Sequence, residues 1–208
     1  MPVGTVLLLV IAALIYFGVG QRLLDRMRLT DTQALVAIAL MIGGSFITLP
    51  LRTGRTSVGI NLGGGLVPLG LVIYLLIRAD TAQERVRALV AALVTGGIIY
   101  GISQFTDFDP SSPYLFIDPL WLFSIVAGIV GYLSGRSRRA SFIAGVMGLF
   151  VVDLIHFAQA VLSNMPTRVV LGGAGVFDAM IVSGLIAVAL AEFVGETRER
   201  LAEGGDGQ

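Results

Sequence analysis

Cysteine is absent from the 208 residues, and so is lysine. The first absence removes disulfides, thiolate metal sites and cysteine nucleophiles together. The second makes all 14 basic residues arginine. Charge of either sign is scarce: 13% of residues carry it, against about 25% in soluble domains. The net charge is zero and no basic block stands out, which argues against nucleic acid as a partner. What fills the chain is apolar, with 55% hydrophobic residues and a mean hydropathy of +0.88. That balance fits one membrane domain over residues 1–195 better than two soluble ones. The polar stretch 196–208, ending in GGDGQ, reads as a disordered cytoplasmic tail.

The apolar residues fall into long runs. A hydrocarbon core of ~30 Å needs about 20 apolar residues per helix, with ~17–25 tolerated. Seven segments qualify: Val3–Gly20, Ala34–Leu51, Ser57–Ile77, Ala88–Gln104, Tyr114–Gly135, Ser141–Leu162 and Leu171–Glu192. The pattern predicts an all-α, polytopic membrane protein of seven transmembrane helices. The first run lacks a positive start and a small-residue cleavage site, so it reads as a retained span rather than a signal peptide.

Arginine placement sets the orientation. Taking alternate loops, one side holds Arg22, Arg26, Arg28, Arg78, Arg85, Arg87, Arg136, Arg138, Arg139, Arg198 and Arg200, and the other holds Arg52, Arg55 and Arg168. Basic residues near span ends favour the cytoplasm. The N-terminus is expected outside and the C-terminus inside, in the cell (inner) membrane. Shifting the first three spans by 109 residues lays Leu62-Gly63-Gly64 over Leu171-Gly172-Gly173, and Val67 over Val176. A parallel 3+1+3 repeat of this kind occurs among small transporters.

Candidate chemistry lies where ionisable groups enter apolar spans. A charged residue at mid-span costs ~2.5–3.5 kcal/mol even on insertion scales, so it marks a functional site by default. Asp153 lies nine residues before Leu162, ~13 Å below the outer end of its span. Asp178 lies seven residues after Leu171, ~10 Å below the same face. His156 is one turn above Asp153. Antiparallel neighbours joined by a short loop are expected to bring Asp153, His156 and Asp178 to one depth. Asn61, before a glycine triplet and Pro68, and Asp118, before Pro119, enter from the same side. Tyr100, Ser103, Gln104 and Gln159 add polar groups there, with Asp107 and Asp109 at the mouth. The glycines Gly63, Gly64, Gly172, Gly173 and Gly175, with Pro68, read as structural breaks that also free backbone groups.

Two acids meeting inside a membrane can hold one proton between them. That proton can be exchanged for a cation, another proton or a small solute, as in a small transporter or permease. It can equally serve water activation, as in aspartic proteases, with Asp153 and Asp178 catalytic. A third reading is a non-catalytic scaffold whose polar residues serve helix packing. Whether the chain is an enzyme stays open between these. No cofactor or metal motif is present, although Asp153, His156 and Asp178 form an N/O set suited to a divalent ion. The expected partners are the lipid bilayer and protons, cations or a small solute.

The strings NLGGGLVPL, VVDLIH and GGAGVFDAMIVSGLIAVALAE resemble an uncharacterised family of prokaryotic multi-spanning proteins, a domain of unknown function. The resemblance marks Asn61, Gly63, Gly64, Pro68, Asp153, Gly172, Gly173, Gly175 and Asp178, and implies an inner-membrane location without an activity. His156 departs from the family's pattern. A looser resemblance links Asp153 and the glycines before Asp178 to intramembrane aspartyl proteases, with two extra residues between glycine and acid.

Overall fold

The computed structural model describes residues 27–105, 119–135, 137–163, 166–173 and 179–205, with a few isolated positions before residue 27. The chain is mostly helical. In order come α1 (Asp31–Gly44), β1 (Thr48–Arg52), β2 (Thr56–Asn61), a π-helical turn (Leu62–Leu66), α2 (Val67–Ile77), α3 (Ala82–Phe105), α4 (Pro119–Gly135), α5 (Arg138–Leu162), β3 (Thr167–Leu171) and α6 (Ala179–Gly205).

Local chemistry fixes the helix ends. Thr30 and Gln33 form a reciprocal capping box at the start of α1: the Gln33 amide donates to Thr30 Oγ1 (3.2 Å) and the Thr30 amide to Gln33 Oε1 (3.0 Å). This satisfies two of the orphan N–H groups at the helix start. Ser45 ends α1 and turns its hydroxyl back onto the Met41 carbonyl at 2.6 Å. Ser137 caps α5 by accepting from the Ala140 amide at 3.1 Å. In α2, Pro68 occupies the first turn, where its missing N–H costs nothing.

On α3 the inward face is mostly small and the outward face large and apolar. On α3 the buried positions are Ala88, Ala91, Ala92, Thr95, Gly96 and Ile99, while Val86, Leu89, Val90, Leu93, Val94 and Ile98 are exposed. On α4, Trp121, Ile125, Ile129 and Leu133 are exposed at every fourth position. Backbones approach closely where glycines meet. A methyl on Gly96 would lie 2.9 Å from the Gly148 carbonyl oxygen, and one on Gly145 would lie 3.0 Å from the Ser183 carbonyl. Small residues at the contacts and apolar surface outside are how helices pack in lipid. Among the described residues two helices, α3 and α5, are long and apolar enough to cross a membrane.

The all-α expectation is corrected by a three-stranded sheet of order β1-β2-β3. β1 and β2 are antiparallel around the turn Thr53-Gly54-Arg55, and β3 lies parallel to β2, with Ile60 opposite Leu171. The expected spans Ala34–Leu51 and Ser57–Ile77 are therefore each part helix and part strand. The stretch Leu171–Glu192 likewise opens at the end of β3 and enters α6 only at Ala179. The physical reason is that Thr, Val, Ile and Leu satisfy a strand as well as an apolar helix. Val58, Ile60 and Leu171 form a second small core under Phe150 and Phe157 of α5. At its far end α6 continues to Gly205, so the segment 196–205, expected to lack structure, is helical; its Glu, Arg, Leu and Ala residues are strong helix formers.

The arginines separate to the two ends of α5, whose 25 residues span ~37 Å. Arg138 and Arg139 start it, while Arg52, Arg55 and Arg168 lie on or beside the sheet against its later turns.

Candidate functional site

The candidate site is built where the two strand–glycine–helix units touch. β2 passes through Gly63-Gly64-Gly65 into α2, and β3 reaches Gly172-Gly173 upstream of α6. The two strands run in the same direction, so each brings its glycines to the same end of the sheet. Their register is two residues away from the alignment of Leu62 with Leu171 that the sequence suggests.

Glycine is required at this junction because backbone meets backbone. Gly172 adopts φ +65°, which side chains disfavour, and a methyl there would strike the backbone of Gly64 and Gly65. A methyl on Gly65 would lie 2.9 Å from the Leu171 carbonyl oxygen. Gly63 is packed equally hard against Met41, Gly44 and Ser45 at the end of α1. The broken ends of α1, α2 and the β3 unit are thus interlocked.

Asn61 clamps this knot. It is buried at 3% exposure, and both functions of its amide are used. Nδ2 donates to the Ser45 carbonyl (2.8 Å) and to Thr48 Oγ1 (3.3 Å), while Oδ1 accepts from the Gly64 amide (2.9 Å). The residue expected as a secondary ligand is therefore engaged in holding the end of α1, β1 and the glycine turn together.

Asp153 is half-buried on α5. Phe142, Val146, Leu149 and Asp153 follow the 4-3-4 spacing of one helix stripe. The earlier part of that stripe faces α6, since a methyl on Gly184 would meet Val146 Cγ2 at 2.7 Å and Phe142 Cε2 at 2.9 Å. Phe150 and Phe157, which flank Asp153 in sequence, pack against the sheet. Asp153 thus occupies the level at which α5 passes from α6 to the strands. Ala179, the first residue of α6, presents its carbonyl to the buried Ser124 hydroxyl of α4 at 3.4 Å.

His156 is exposed and lies beside Tyr100 of α3, with ring centroids 6.0 Å apart and planes tilted 52°. Gln159 donates its amide to the Tyr100 hydroxyl, and Ser103 Oγ donates to the Tyr100 carbonyl at 2.8 Å. Of the polar residues expected near the outer end of α3 and α5, His156, Gln159 and Ser103 therefore gather around Tyr100. Asp178, Asp118, Gly175, Asp107 and Asp109 lie outside the described residues. Among the described residues no three His, Asp or Glu side chains gather into a metal-sized group.

A charged network at the opposite end of α5 escaped the sequence reading. Arg139, only 9% exposed, bonds the Asp80 carboxylate, Glu84 Oε2 (3.2 Å) and the Arg78 carbonyl (2.8 Å). Arg28 also pairs with Asp80, Ser137 donates to Glu84 (3.1 Å), and Arg138 pairs with Glu192 of α6. The hydrogen bond from Arg139, reinforced by the charges of Arg139 and Arg28, holds the Asp80 carboxyl below its ordinary pKa. The available signal was the recurrence of Asp80 and Glu84 opposite Arg138 and Arg139 in loops assigned to one face.

Comparison with known proteins places these residues in a family. The model of a family described as Protein of unknown function (DUF1614) matches residues 21–190. No curated protein and no solved structure matches the chain. The resemblance to intramembrane aspartyl proteases is not borne out, the match being to this other family.

Proposed function

The chain belongs to this family of unknown function, and we propose that it is a multi-pass protein of the cytoplasmic membrane acting as a small permease for protons, cations or a small solute. In this reading the helical parts of the apolar segments lie in the bilayer, the sheet stands at the outer face, and the arginine network around Arg139 lies in the cytoplasm. The observation that carries it is the meeting of two interrupted segments. β2 and β3 run parallel side by side, and the glycines that follow them, Gly63-Gly64-Gly65 and Gly172-Gly173, meet backbone to backbone. Discontinuous segments of this kind build substrate sites in small transporters, because broken ends leave backbone groups for a ligand. Asp153 supplies the acid at that level, and Asp178, next in sequence to Ala179, supplies its partner. Proton exchange at the pair would drive or accompany passage of the solute.

The test is uptake in proteoliposomes under an imposed pH gradient, using protons and monovalent cations as first probes. Asp153→Asn and Asp178→Asn are expected to abolish or uncouple flux while leaving the helical content and melting behaviour close to wild type. Wild-type flux no greater than that of empty liposomes across the probe set, with both variants altered only in stability, would leave a scaffold.

A further inference from the structure

A groove of about 350 Å³ runs between α1 and α2. Its walls include Gln33, Val36 and Leu40 on α1 and Val67, Gly70 and Tyr74 on α2. These spacings of three, four and seven put each set on one helix face. The walls are apolar along most of their length. Polar atoms appear at the end where the Tyr74 hydroxyl reaches Gln33 Oε1 (3.3 Å) and the Arg28 carbonyl (3.1 Å). Just beyond, the exposed Arg78 guanidinium sits over the Tyr74 ring, 5.5 Å from its centre.

Among the described residues Arg78 pairs with no carboxylate. Asp80 is taken by Arg28 and Arg139, and Glu84 by Arg139 and Ser137. Asp31 precedes Gln33 by two residues, which turns it ~160° away from the groove. From Gln33 to Leu40, and from Val67 to Tyr74, each wall is ~10 Å long, about two thirds of a ~15 Å leaflet. Gly70 opens the slot: a methyl placed on it meets nothing within 4 Å.

We propose that this groove binds an anionic phospholipid of the inner leaflet, with one acyl chain lying between α1 and α2 and the phosphate on Arg78. The inference rests on the membrane reading above, and the charge and the depth choose the occupant. An apolar slot of leaflet scale ends at an unpaired guanidinium, at the end of the molecule where the arginines gather. A free phosphate would use Arg78 but leave the slot unfilled, and a neutral lipid would fill the slot but leave the guanidinium unpaired.

The experiment is lipid binding to the purified full chain in detergent, read by native mass spectrometry with phosphatidylglycerol and phosphatidylcholine, and with inorganic phosphate as a chainless control. Wild type is expected to prefer phosphatidylglycerol about fivefold, from ~1 kcal/mol per basic residue at an anionic surface. Arg78→Gln should erase the preference while phosphatidylcholine binding persists. Gly70→Leu, which fills the slot and strengthens the helix, should weaken both lipids roughly fifteenfold by displacing two methylenes at ~0.8 kcal/mol each. Gly97→Leu, on an equally open face of α3, should change neither. Equal binding of the two lipids, inorganic phosphate competing with phosphatidylglycerol, or Gly70→Leu behaving like Gly97→Leu would overturn the proposal. Recovery of the chain from the soluble fraction without detergent would instead sink the membrane reading, and would be seen before any lipid is added.

Discussion

Adding one methyl at Gly172 is expected to disturb the molecule far more than the same methyl on an open helix face. Gly172 sits at φ +65°, and leaving glycine there costs ~1–2 kcal/mol in backbone strain. The new carbon also meets the backbone of Gly64 and Gly65, which cannot swing aside as a side-chain tip would. Forced overpacking of that kind costs ~1–3 kcal/mol, so the two effects together reach roughly 2–5 kcal/mol. For a chain of this size each kcal/mol moves the midpoint about 2–4 °C, and Gly172→Ala should lower it by roughly 10 °C. Gly97→Ala is the matched control, because its methyl meets nothing within 4 Å and alanine is favoured over glycine in a helix by ~1 kcal/mol. It should raise the midpoint slightly. The assay is thermal unfolding in detergent followed by far-ultraviolet circular dichroism. A Gly172→Ala midpoint within 2–3 °C of the control would refute the claim that backbone contact between the two glycine turns holds the junction.

Asn61→Ala should cost about 2–3 kcal/mol, because it strands the buried amide of Gly64 and the Ser45 carbonyl; unfolding in the same detergent measures it. Asn61→Asp keeps the acceptor for Gly64 but sets an oxygen against the Ser45 carbonyl, so it should not rescue. Arg139→Gln should loosen the contact between α5 and the segment before α3, read as faster proteolysis at residues 78–81 in the purified protein. Asp80 gives a pH signature. Its folded pKa is depressed, so its contribution is complete above the ordinary carboxylate range and is lost as pH falls through the folded value. Stability should show no Asp80 component between pH 7 and 5, and an acid component below about pH 4 that Asp80→Asn lacks.

The helices that read most clearly from sequence were those with uninterrupted apolar runs. Ala88–Gln104 and Ser141–Leu162 fall inside α3 and α5, because nothing in those stretches favours another backbone geometry. The strands were not legible. Thr56–Asn61 and Thr167–Leu171 lack alternating polar residues, β2 being buried along most of its length, and Thr48–Arg52 alternates over only five residues. Without a sustained period of two they merged into neighbouring helical runs. Thr53-Gly54-Arg55 between β-branched segments was the hairpin signal available. Asn61 and the glycines were recognisable as special, but their role was set by long-range contacts. The partner of Gly172 is Gly65, more than a hundred residues earlier, and no local pattern encodes that meeting. Asp153 was legible by cost alone, as an acid in an apolar run.

The central claim, that the sheet and the Arg139 network stand on opposite faces of a membrane, can be measured directly because the chain has no cysteine of its own. Single substitutions Thr53→Cys at the sheet tip and Gln83→Cys at the start of α3 place one thiol at each exposed end. With a membrane-impermeant maleimide added to intact cells, Thr53→Cys should label at once and Gln83→Cys only after permeabilisation. Equal labelling of both before permeabilisation, or protection of Thr53→Cys with labelling of Gln83→Cys, would contradict the account.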